Sequence, residues 1–70
     1  MTIEPLIELN HRPYPWQEGM TISSLMAENG FSFSHIIATI NGIVIEDEAW
    51  DKAPVAAGDK VAIIHIFHGG

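Results

Sequence analysis

The chain has 70 residues, no cysteine, and nine acidic against three basic side chains, for a formal net charge of −6. That length holds one small domain, and a hydrophobic fraction of 47% excludes a disordered chain, which would be poor in apolar residues and rich in charge. The negative balance excludes nucleic acid and anionic membrane surfaces as partners, since both need clustered Lys and Arg, while the missing thiols exclude disulfides, thiolate metal sites and a cysteine nucleophile.

The first element is a strand over Leu6-Ile7-Glu8-Leu9, with Pro5 marking its start because proline cannot donate to a sheet ladder. Asn10-His11 reads as a tight turn. The second strand runs from Arg12 to Gln17, with Tyr14 and Trp16 on one face. Pro13 and Pro15 alternate with them and place this strand at a sheet edge, where a missing donor faces solvent.

The period then changes. Thr21 is a good N-cap; Ile22, Leu25 and Met26 fall at helical spacing; Asn29-Gly30 closes a short helix with one apolar stripe. Phe31 and Phe33 follow in a Ser-punctuated loop and are expected to seal the helix end over the core. Ile36 to Ile40 is β-branched and ends at Asn41-Gly42, a strong hairpin signal, which Ile43-Val44-Ile45 answers as the returning strand. Glu46 to Trp50 forms an acidic turn or short helix whose Trp50 plugs the core, and Ala57-Gly58-Asp59-Lys60 makes another turn. Val61 to Phe67 is the last and most apolar strand.

In that strand Val61, Ile63, His65 and Phe67 share one face, and Ala62, Ile64, Ile66 and His68 share the other. A strand apolar on both faces belongs at the centre of a sheet, and it is expected to lie parallel to the first strand. A single helix covers one side only. The other is either lidded by loops or, the reading favoured here, an exposed apolar patch that meets a partner.

No apolar run approaches the roughly 20 residues of a membrane span, and Glu4-Pro5 interrupts the N-terminal apolar stretch with no basic segment before it, unlike a signal peptide. A cytoplasmic chain is the expectation. The four histidines, His11, His35, His65 and His68, are spread over separate turns and opposite faces, so the convergence of ligands that a metal site needs is not expected, and no cofactor is. Little interior is left for an enclosed active site, so the chain reads as a non-enzyme.

The sequence finishes in Gly69-Gly70 directly after a strand. A tail without Cβ atoms can thread a narrow channel and bring its α-carboxylate to an enzyme. The expected organisation is a folded domain over residues 1–68 and a flexible tail over residues 69–70.

The ββα–ββ–β order, together with Ile40-Asn41-Gly42, Trp50 in the turn after the fourth strand, Ala57-Gly58-Asp59-Lys60-Val61 and Gly69-Gly70, resembles the ubiquitin-like β-grasp sulfur carriers of the ThiS/MoaD family, and within them the ThiS carriers of thiamine biosynthesis. The likeness runs over roughly residues 6–70. The chain departs from it in Ile45-Glu46, where Pro-Arg is frequent, and in Phe67-His68, where smaller residues precede the glycines.

The resemblance implies an α+β fold, a mixed sheet of about five strands with one main helix on one face. It also implies that a ThiF-like adenylyltransferase activates the Gly70 carboxylate with ATP. A sulfur donor protein then converts it to a thiocarboxylate, which gives its sulfur to a ThiG-like thiazole synthase. Gly69 is the approach to the reacting carboxylate. Ile64, Ile66, Phe67 and His68 are candidate docking residues. Two alternatives stay open on sequence: a carrier resembling the small subunit of molybdopterin synthase, and a ubiquitin-like modifier or interaction module.

Overall fold

The structure is a computed structural model, and it describes residues 5–31 and 35–66. Phe33 and residues 67–70, and with them the expectations placed on Phe67, His68, Gly69 and Gly70, lie outside the described residues.

The chain runs β1 (Leu6–Leu9), β2 (Arg12–Pro15), α1 (Ile22–Asn29), β3 (Ile36–Ile40), β4 (Ile43–Ile45), a 3-10 turn (Asp47–Ala49) and β5 (Lys60–His65). The five strands form one sheet in the order β2-β1-β5-β3-β4. β5 is therefore central: it pairs parallel to β1 and antiparallel to β3. The parallel contact between the first and last strands needs a long crossover, and the intervening helix and hairpin supply it. This is the β-grasp arrangement that the resemblance implies.

Two tight turns set the outer hairpins. Asn10 and His11 both adopt positive φ (50° and 68°), as do Asn41 and Gly42 (52° and 82°), the pattern of two-residue loops whose twist matches that of the strands they join. The second strand is shorter than expected, ending at Pro15. Trp16 nevertheless extends the pairing by donating its N–H to the Pro5 carbonyl at 3.0 Å.

The helix is fixed at both ends by its own sequence. Thr21 Oγ1 accepts from the Ser24 N–H, and Ser24 Oγ accepts from the Thr21 N–H at 2.9 Å, closing a reciprocal cap. At the other end Gly30 takes the left-handed conformation, φ 70°, and its N–H returns to the Met26 carbonyl. Between these caps Ile22, Leu25 and Met26 are fully buried against the sheet. Ile7, Leu9, Ala38, Val61 and Ile63 meet them from the strands, and Met20, Trp50 and Val55 close the core from the loops. Phe31 packs against this cluster, half-buried.

Two asparagines brace β5 at its flanks. Because β1 stops at Leu9, the strand beside it has no backbone partner for Ile63. The Asn10 side chain supplies one: its Oδ1 accepts from the Ile63 N–H at 2.8 Å and its Nδ2 donates to the Ile63 carbonyl at 3.2 Å. On the other flank Asn41 Oδ1 accepts from the Lys60 N–H at 2.9 Å, and Asn41 Nδ2 donates to Asp59 Oδ1 at 3.1 Å. Asn10→Ala removes both bonds to Ile63 and strands polar groups of a buried residue, a loss of about 1–3 kcal/mol. Asn10→Gly also removes both bonds but suits the positive φ, so it should melt between Asn10→Ala and the parent. Equal melting temperatures for all three proteins would show that the bridge contributes nothing.

Candidate functional site

The alternation along β5 divides its side chains as the sequence predicts. Val61 and Ile63 are buried under the helix, whereas Ile64 is 56% exposed on the opposite face and Ile66, just past the strand, is 37% exposed. Pairing register then shows what surrounds them. Ile37 lies opposite Ile64, and Thr39 opposite both Ala62 and Val44. Ile37, Val44, Ile64 and Ile66 are all exposed, so β3, β4 and β5 together present an aliphatic strip across the side of the sheet that the helix leaves open. Leu6 of β1 is also exposed on this side, where it and Glu8 alternate with the buried Ile7 and Leu9.

Of the six residues predicted to form the tail and docking surface, Ile64 and Ile66 are thus placed on the open face. Phe67, His68, Gly69 and Gly70 lie outside the described residues. Ile66 is the last described residue, and its N–H donates to the His35 carbonyl at 2.7 Å. That bond carries the β3–β5 ladder one step beyond the strand. Ile37 and Val44 were not identified from sequence. The signal was present in the unbroken apolar runs Ile36-Ile37 and Ile43-Val44-Ile45, but only the register assigns them to the same face as Ile64.

Beside the strip the chain turns acidic. Glu46, Asp47 and Glu48 are exposed at the 3-10 turn, and this turn is pinned to β4 by Trp50, buried, whose Nε1–H donates to the Ile45 carbonyl at 2.9 Å. Trp50 therefore plugs the core as predicted and also fixes the acidic turn next to Val44 and Ile37. The histidines are dispersed. The His65 ring lies against Phe31 with centroids 5.6 Å apart. His11 Nδ1 is 3.8 Å from Glu8 Oε2 in an exposed pair. Among the described residues no three His, Asp or Glu side chains gather as metal ligands, and no helix is long and apolar enough to cross a membrane. What this surface can do chemically is bury aliphatic groups against a partner.

Comparison with known proteins gives this arrangement a family. The chain is similar in structure to the crystal structure of the thiamine biosynthesis protein ThiS from Geobacter metallireducens. The TM-score is 0.76 at 24% identity, over 93% of this chain and 99% of that one. It is similar also to the solution NMR structure of a thiamine biosynthesis protein from the same organism, with a TM-score of 0.74 at 25% identity, over 93% and 87% of the two chains. No curated protein matches the sequence. The sequence model of the ThiS family matches residues 5–70, from the residue before β1 to the Gly-Gly end, and the chain belongs to that family.

Proposed function

We propose that this protein is a sulfur carrier for thiazole formation in thiamine biosynthesis, with the Gly70 carboxylate as the group that carries the sulfur. A carboxylate is a poor acyl donor, so a ThiF-like adenylyltransferase joins it to AMP and releases pyrophosphate from ATP. The persulfide of a sulfur donor protein attacks the acyl carbon and displaces AMP. A thiol then cleaves the sulfur–sulfur bond and leaves a Gly70 thiocarboxylate, which a ThiG-like thiazole synthase consumes. Catalysis belongs to these partners. The carrier contributes the tail and, through Ile64, Ile66, Phe67 and His68, a surface that positions it. The observation that carries this reading is the family match, which extends over residues 5–70 and so includes both tail glycines.

The test is intact mass after incubation with ATP, a ThiF-like enzyme and a persulfide donor. The expected product is heavier by the difference between a sulfur and an oxygen atom. An unchanged mass, in a mixture that loads a known carrier, overturns the proposal.

The docking surface has its own test. Ile64 is largely exposed, so Ile64→Asp should shift folding stability by no more than about 0.5–1 kcal/mol. In a complex the same change replaces an aliphatic contact worth about 1.5–3 kcal/mol with a carboxylate that must be desolvated. Loading at subsaturating carrier should slow by at least about tenfold, with little change in melting temperature. Loading at the parent rate would remove Ile64 from the interface.

A further inference from the structure

The two edges of the sheet are treated differently by the sequence. On the β2 edge, the bond from the Trp16 N–H to the Pro5 carbonyl fixes the phase of the ladder. With Leu6 opposite Pro15 and Glu8 opposite Pro13, positions 12, 14 and 16 bond toward β1, and positions 13 and 15 face outward. Both outward positions are proline, so this edge has no outward N–H between Arg12 and Trp16. That is a known means of blocking strand addition.

The β4 edge has no such block. The bonds from the Ile66 N–H to the His35 carbonyl and from the Asn41 N–H to the Lys60 carbonyl, both 2.7 Å, show that the odd positions of β3 bond toward β5. Ala38 and Ile40 therefore bond toward β4, to Ile45 and Ile43. Alternation leaves the Val44 N–H and carbonyl directed away from the sheet. Val44 is 58% exposed and Ile43 67%. Beside this edge lies an open groove of about 340 Å³, lined by Ile37, Val44, Glu46, Asp47, Trp50 and Ile66 among others.

We propose that the β4 edge is a docking site for an extended segment of a partner protein, one with aliphatic residues at alternate positions and Lys or Arg beside them. Backbone pairing to Val44 gives the segment its direction, its aliphatic positions on the open side of the sheet continue the strip beside Val44, and the basic side chains meet Glu46 and Asp47. Charge selects this occupant over a second copy of the chain. Two copies joined through β4 would bring together surfaces with the same acidic turn on molecules of charge −6 each, with no Lys or Arg among the residues lining the groove to offset them.

The inference does not depend on sulfur transfer and is tested without it. The ¹⁵N-labelled full chain is titrated with the pentapeptide acetyl-Arg-Val-Lys-Val-Arg-amide, and in parallel with its acidic counterpart acetyl-Glu-Val-Glu-Val-Glu-amide. The basic peptide is expected to give saturable amide shifts centred on Val44, and the acidic one none. Glu46→Lys combined with Asp47→Lys should weaken the basic peptide by about fivefold, the scale of two exposed ion pairs. Val44→Pro should abolish the shifts while the rest of the spectrum keeps its dispersion. The charge variant decides the matter should Val44→Pro fail to fold. Equal binding of both peptides, shifts centred on Ile64 rather than Val44, or no shift at all would overturn the proposal. So would self-association through Val44 in the absence of peptide, which would make a second copy the occupant.

Discussion

Leu25→Ala should lower the melting temperature by at least roughly 10 °C. Leu25 is fully buried in the middle of the helix, with Ile22 and Met26 beside it. Truncating such a side chain costs about 2–5 kcal/mol, because transfer free energy is lost and the cavity collapses only in part. A domain of this size has a total stability of only about 4–10 kcal/mol, so one methyl-rich side chain holds a large share of it. The effect is acute because α1 is the one α-helix among the described residues, and none of them forms a second helix that could move in to fill the space. Ile43→Ala is the matching control: the same apolar class, but 67% exposed at the sheet edge, and expected to shift stability by no more than about 0.5 kcal/mol. Thermal or urea unfolding of the two variants checks the contrast. A Leu25→Ala protein that melts with the parent would mean that the helix is not packed as described.

What could be read from the sequence was governed by local chemistry. Thr21 and Gly30 announce the helix because capping and the left-handed conformation are decided within a few residues. Asn41-Gly42 announces its hairpin for the same reason. Pro13 and Pro15 give β2 away as an edge, because proline's missing donor is a property of the residue itself. Even the central place of β5 follows from one strand, since Val61 to Ile66 is apolar on both faces.

The relations that escaped sequence reading are long-range. Asn10 looks like an ordinary turn residue, yet its amide completes the ladder of a strand 53 positions away. Ile37 and Val44 belong to the open face only because β3 is held in register against β5 and β4 against β3. A slip of one residue would exchange the two faces. The open face was therefore legible as one strand, through Ile64 and Ile66, while Gly69-Gly70 lie outside the described residues. The neighbouring strands that widen it into a surface were not.

Gly69→Val should reduce sulfur loading by at least about a hundredfold, while the melting temperature stays with the parent. The expectation rests on the proposed role of the Gly70 carboxylate and on where residue 69 stands, one residue before the group that must reach the adenylating enzyme. A β-branched residue is stiff at χ1 and narrows the backbone choices that glycine leaves open. It also adds bulk where the proposed mechanism brings the tail into the adenylating enzyme. A misplacement of about 1 Å at a reacting centre can itself cost on the order of a hundredfold. Folding should not register the change, because β5 reaches the described core through Val61 and Ile63, and a substitution outside the core typically stays within about 0.5 kcal/mol. A second variant, with one alanine appended after Gly70, tests the carboxylate rather than the channel: it keeps both glycines and moves the reactive group onto another residue. Loading is measured by intact mass and folding by thermal melting, on the same three proteins. Parent-like loading in both variants would remove the tail from the mechanism, whereas loss in both, with melting unchanged, is the outcome that a Gly70-centred carrier requires.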